Sequence, residues 1–119
     1  MDDLDQAMLQ SLEPFGDSLL PVFDAFEGSL ESNFRLLQSA LERRDFESGG
    51  QVSHRLKGAA SSLGFSGIAN EAAVIGRACA QSAIVDLEPL RRRMDVAVEL
   101  LRQEVRPRFE QPQDLFRRK

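Results

Sequence analysis

The sequence predicts an all-α protein, and three observations carry that reading. Apolar residues recur every three or four positions over long stretches, most clearly Phe23, Phe26, Leu30, Phe34, Leu37 and Leu41. Asp or Ser, which cap helix N-termini, stands ahead of these stretches. Pro and Gly, which interrupt or close helices, fall between them. At 119 residues the chain is one domain with a single core of modest size.

Residues 3–13 read as a short first helix. Asp2 or Asp3 caps it, and Leu4, Met8, Leu9 and Leu12 give it an apolar side. Pro14 and Gly16 break it. Asp17 or Ser18 then caps a long second helix to about Arg44, with Pro21 tolerated in its first turn. Arg43 and Arg44 favour its negative end. Asp45 caps the third helix. Almost no loop remains after Arg44, so the second and third helices are expected to be antiparallel neighbours. Gly64 closes the third helix as a left-handed residue.

Ser66 opens a fourth helix to about Ser82. Ile68, Ala72, Ile75 and Cys79 share one side of it, with Asn70, Arg77 and Gln81 opposite. Its many small residues suit close packing, and Cys79 reads as a small buried hydrophobe. Asp86 caps a fifth helix with Pro89 in its first turn. Leu87, Leu90, Met94, Ala97, Leu101 and Val105 form its seam, and Arg91-Arg92-Arg93 reads as a solvated face. Pro107 is expected to end it. The domain is then 1–107, and 108–119, with its basic end, a frayed or disordered tail.

Composition narrows the function classes. Hydrophobic residues make up 42% and charged residues 29%, ordinary for a globular domain. A net charge of −4 argues against nucleic acid as the main partner. No apolar run approaches a membrane span, and the acidic start Met1-Asp2-Asp3 does not read as a signal peptide. The starting Met suggests a free-standing chain. The single Cys79 cannot form an internal disulfide, which fits a reducing cytosol, so a cytoplasmic location is expected. One His and one Cys on different helices fall short of a metal ligand set. The sequence shows no carboxylate cluster for Mg²⁺, no phosphate-cradling loop and no nucleotide motif.

The third helix carries the only histidine, His54. At 100° per residue, Gly50, Lys57, Gly58 and Ser61 all fall within about 60° of it. Val52, Leu56, Ala59 and Leu63 lie within about 40° of the opposite pole and form the face to bury. His54 therefore faces solvent. Glycine inside a helix costs roughly 0.5–1 kcal/mol relative to Ala. Gly50 and Gly58 stand one turn either side of His54, where side chains would cover the ring. Lys57 sets a cation one turn away, close enough to meet an anion carried on the ring. Open access, an imidazole and a cation suit a phosphorylated histidine.

His54-x-x-Lys57-Gly58, with Gly64 ten residues after the histidine, resembles the histidine-containing phosphotransfer (HPt) domain of bacterial multistep phosphorelays. Ile68, Ala69, Ala72 and Ile75 also fall where that family places apolar or small residues. The resemblance implies an antiparallel four-helix bundle with an additional short N-terminal helix. It also implies a phosphohistidine carrier, not an enzyme. His54 would shuttle a phosphoryl group between the aspartates of response-regulator receiver domains fed by a hybrid sensor histidine kinase. Mg²⁺ and the acceptor carboxylate would come from the receiver. Lys57 would stabilise the phosphate. Gly50, Arg55, Gly58, Ser61 and Phe65 would border or contact the docked partner, Phe65 if the helical angle continues past Gly64. An exposed site of this kind works in a monomer.

One position departs from the family. Many members carry Gln or Glu on the fourth helix, bonded to the second imidazole nitrogen to fix its tautomer. That position is Gly76 here, with Gln51 and Glu71 the nearest polar substitutes. Two other readings compete. In one, a helical module of the same fold docks on a receiver or kinase and modulates it without carrying phosphate. In the other, a dimeric kinase fragment, the acidic residue and proline usual near the histidine are missing.

Overall fold

The computed structural model describes residues 3–110, and all regular structure among them is helical. Helix α1 spans Gln6–Leu12, and a 3₁₀ segment, Glu13–Leu19, leads into α2, Leu20–Glu42. Helices α3, α4 and α5 occupy Phe46–Ser62, Ser66–Ala80 and Glu88–Leu100. A π-helical turn at Leu101–Val105 joins α5 to the short α6, Arg106–Phe109. Helices α2 to α5 pack in sequence order as an antiparallel four-helix bundle, with α5 closing back on α2.

Three turns of one kind set the antiparallel order. After α2, α3 and α4 the chain takes a left-handed residue: Arg44 (φ 57°), Gly64 (φ 87°) and Ser82 (φ 54°). Each time the next residue's N–H reaches back five positions, Asp45 to Ala40, Phe65 to Ala60 and Ala83 to Ala78, at 2.8 Å. The left-handed residue itself donates three positions back, to Leu41, Ser61 and Cys79. This double bond pattern satisfies the last helical carbonyls and reverses the chain within three residues.

The caps differ from expectation in three places. Asp5, not Asp2 or Asp3, caps α1 by accepting the Met8 N–H at 3.1 Å; Asp2 lies outside the described residues. Asp3 accepts from the Arg93 guanidinium instead, and its carbonyl takes the Gly67 N–H at 3.2 Å. Neither Asp17 nor Ser18 caps α2. The preceding segment is already helical, so Leu20 donates to the Asp17 carbonyl and no side-chain cap is needed. At α5, Leu87 is the boundary residue, and Asp86 still accepts the Glu88 N–H at 3.0 Å.

Pro107 does not end the last helix. It cannot donate a backbone hydrogen bond, and its ring crowds the preceding turn. The helix widens to π geometry just ahead of it, where Arg106 N–H bonds the Leu101 carbonyl, and continues to Phe109. Phe109 is fully buried with its ring centroid 5.0 Å from Phe23. The helical body thus extends past the expected boundary at 107, and residues 111–119 of the expected tail lie outside the described residues.

The whole Phe23–Leu41 stripe is buried, as are Cys79 and the α5 seam from Leu90 onward. Arg91-Arg92-Arg93 is more than a solvated face. Arg91 pairs with Glu31 through both guanidinium arms, at 2.8 and 3.1 Å, and lies 3.9 Å above the Phe34 ring. Arg93 ties α5 to Asp3, and Arg102 and Arg106 pair with Glu27 and Asp24 of α2. No helix is long and apolar enough to cross a membrane among the described residues.

Candidate functional site

Helix α3 starts where Asp45 caps it. The carboxylate accepts the Ser48 hydroxyl at 2.7 Å and the Ser48 N–H at 3.1 Å, bonds that hold its pKa below the usual value. The buried face of α3 comprises Gly49, Val52, Ser53, Leu56 and Ala60, with Leu63 following. It is rotated about 40° from the expected face, toward α4. Ala59, expected to be buried, is therefore exposed, and Ala60 is buried in its place.

Small residues let α4 come close. A Cβ at position 49 would stand 3.0 Å from the Cys79 Sγ, and one at position 76 would stand 3.7 Å from the Ser53 Cβ. Ser53 is buried but satisfied, donating to the Gly49 carbonyl at 2.8 Å. Burial pushes the Cys79 thiol pKa up, so it stays a neutral packing group.

His54 stands exposed in the middle of α3, above the groove between the two helices. Two hollows flank it. The larger, of 760 Å³, runs toward the α4 C-terminus and is shared with Phe46, Glu47, Gln51 and Arg55. The smaller, of 300 Å³, runs the other way and is shared with Lys57 and Arg77. Gly50, Gly76 and Ala80 line both, so the walls beside the imidazole carry nothing larger than a methyl at these positions. No hydrogen bond to the ring is found among the described residues.

The other expected site residues divide. Lys57 and Arg55 are exposed and border the hollows on either side of His54. A Cβ at Gly58 would meet nothing within 4 Å, so that surface is open, whereas one at Gly50 would touch the Cys79 Cβ at 3.7 Å. Ser61 is exposed but stands about 10 Å along the axis from His54. It lines a separate depression with Asp5, Met8 and Asn70.

Phe65 is not a rim residue. The left-handed turn at Gly64 ends the angular register of α3, and the Phe65 ring swings into the core with no exposed surface. It stacks on Phe26 at 5.1 Å and meets Phe23 edge-on at 6.4 Å. Of the polar candidates for holding the imidazole, Gln51 shares its larger hollow. Glu71 lies in a different one, with Pro89, Arg92 and Arg93.

Sequence reasoning placed Arg77 simply opposite the apolar side of α4. The register of α4 on α3, with Gly76 against Ser53, is what carries Arg77 into the hollow of His54 and Lys57. Among the described residues no group of three or more His, Cys, Asp or Glu side chains is placed to hold a metal ion.

Searches of curated proteins and of solved structures return no match. The family model for the Hpt domain matches residues 21–114, from the first turn of α2 beyond the end of α6. That match covers well over half of the chain and contains His54 with both of its hollows. The chain belongs to the Hpt domain family, the histidine-containing phosphotransfer modules of phosphorelays.

Proposed function

We propose that this chain is a phosphohistidine carrier, acting as a cytoplasmic monomer, that moves a phosphoryl group between receiver-domain aspartates through His54. The observation that carries the reading is the setting of the only histidine. It is exposed in mid-helix, between two open hollows, with cations around it and no hydrogen-bonded partner among the described residues.

The neutral imidazole keeps its proton on Nδ1 and attacks with the Nε2 lone pair. An N–P bond forms as the O–P bond to the receiver's aspartate breaks, and the carboxylate leaves with that electron pair. The reverse step hands the group to the next receiver. Positioning and charge stabilisation supply most of the catalysis in such transfers. This chain offers an accessible nucleophile, and its nearby positive charge holds the phosphorylated form. The receiver supplies Mg²⁺ and the carboxylate. Lys57, one helical turn from His54, offsets the charge of the phosphoryl oxygens.

Gly50, Arg55 and Gly58 form the surface onto which the receiver docks. The open space over Gly58 supports this, since no neighbour within the chain requires a glycine there. Incubation with a phosphorylated receiver should transfer label to the wild type and then to a second receiver, and His54→Gln should stop both steps. The unheld ring above Gly76 favours a second reading, a docking module that binds a receiver without taking phosphate. Binding of the receiver with no transfer in either direction would select it.

A further inference from the structure

The positive charge of this chain is unevenly committed. Seven of the twelve described Lys and Arg residues sit in ion pairs, most of them binding α5 and α6 to α2 and the N-terminal segment. The five without a carboxylate partner are Arg44, Arg55, Lys57, Arg77 and Arg92. Three of these five border the hollows beside His54. Among the described residues, most of the uncommitted cations therefore gather beside His54.

Two of the three share the smaller hollow. Lys57 enters it from α3 and Arg77 from α4, on opposite sides of the groove, and no carboxylate among the described residues lines it. Among the described residues, the only acid bordering either hollow is Glu47, in the other one. Gly76 and Ala73 line the α4 side beside Arg77, so no bulky side chain separates the Arg77 stem from the imidazole.

We propose that Arg77 is a second phosphate-binding residue, which closes with Lys57 on the phosphoryl group carried by His54. This rests on the carrier reading above. A guanidinium is suited to the task because it offers two parallel N–H donors to two phosphoryl oxygens, where an ammonium acts as a point charge. Two cations from two helices also hold the group in one orientation, a task otherwise left to a single flexible lysine beside a ring with no bonded partner.

Loss of the group to water, with no receiver or Mg²⁺ present, passes through a loose, metaphosphate-like transition state; the N–P electron pair leaves with the imidazole, so the dianionic phosphoryl unit moves toward a monoanion and its oxygens carry less charge than in the adduct. Cations bound to those oxygens therefore stabilise the ground state more and slow hydrolysis. The full chain is charged with phosphoramidate, freed of reagent, and followed by intact mass at neutral pH. Arg77→Gln should still take one phosphoryl group, but that group should be lost roughly two- to fivefold faster than from the wild type, as expected for an exposed ionic contact. Arg77→Lys should recover part of the lifetime. Arg92→Gln removes an equally uncommitted cation on the far side of α4 and should leave the lifetime unchanged.

Arg77 also lies in the last turn of α4, where a cation favours the helix dipole. A purely structural role would lower the thermal midpoint of Arg77→Gln without changing the phosphohistidine lifetime. A wild-type lifetime in Arg77→Gln overturns the inference and leaves the carrier reading standing. A wild type that takes no phosphoryl group overturns both.

Discussion

Gly76 of α4 faces Ser53 of α3 so closely that a Cβ added at position 76 would stand 3.7 Å from the Ser53 Cβ, an ordinary contact. A Cβ therefore fits there without displacing the helices. Gly76→Gln replaces glycine in a helix interior and should stabilise the fold by about 0.5 kcal/mol through helix propensity. Its amide oxygen can reach the slot beside His54, accept a hydrogen bond from Nδ1–H and fix the tautomer with Nε2 free. A raised thermal midpoint and faster phosphorylation by phosphoramidate are the expected outcomes. A slower reaction in a folded variant would show that the open slot itself serves the transfer.

The left-handed turns respond in opposite directions. Gly64 combines φ 87° with a Cβ position 2.9 Å from Leu9 Cγ and 3.3 Å from the Asp5 carbonyl oxygen. Gly64→Ala should cost about 2 kcal/mol or more, since both the backbone and the docking of α1 are strained. Arg44, at φ 57°, carries the left-handed penalty of a residue with a Cβ, so Arg44→Gly should stabilise by up to about 1 kcal/mol. Chemical denaturation of the two variants measures both.

Phe109 reports on the true end of the domain. Its ring is fully buried against Phe23, so Phe109→Ala should destabilise by about 3–4 kcal/mol, like a core truncation. A change below 1 kcal/mol would mean that the domain stops at Pro107 after all.

Much of this was legible in the sequence, and the exceptions share a cause. The exposure of His54 followed from 100° periodicity, because the apolar side of α3 is written in its own residues. The burial of the Phe23–Leu41 stripe followed in the same way. A rim position for Phe65 requires the angle of α3 to run on through Gly64, where the helix has already reversed. Arg44 and Ser82 take the same turn without a glycine to announce it. Pro107 looks terminal locally, and only the space beside Phe23 shows why the helix goes on. Arg77 belongs to the hollow only through the register of two helices, which neither helix encodes alone.

The cap of α3 predicts an acid limb. Hydrogen bonds from the Ser48 hydroxyl and N–H lower the folded pKa of Asp45 from its ordinary 3.8. A carboxyl with a depressed folded pKa stabilises the fold fully above the unfolded value and loses that contribution as pH falls through the folded one. Asp45→Asn should therefore flatten the pH dependence of the thermal midpoint below about pH 4, where the wild-type curve falls. Glu31, lowered by its bonds to Arg91, adds to the same limb and should remain in the variant. Identical slopes for wild type and Asp45→Asn in this range would remove Asp45 from the account.

The central claim is that His54 carries the phosphoryl group. Intact-mass measurement of the wild type and His54→Gln after treatment with phosphoramidate tests it most directly. The wild type should carry one acid-labile phosphoryl adduct, and a folded His54→Gln none. An adduct that persists on His54→Gln, or none on the wild type, would contradict it.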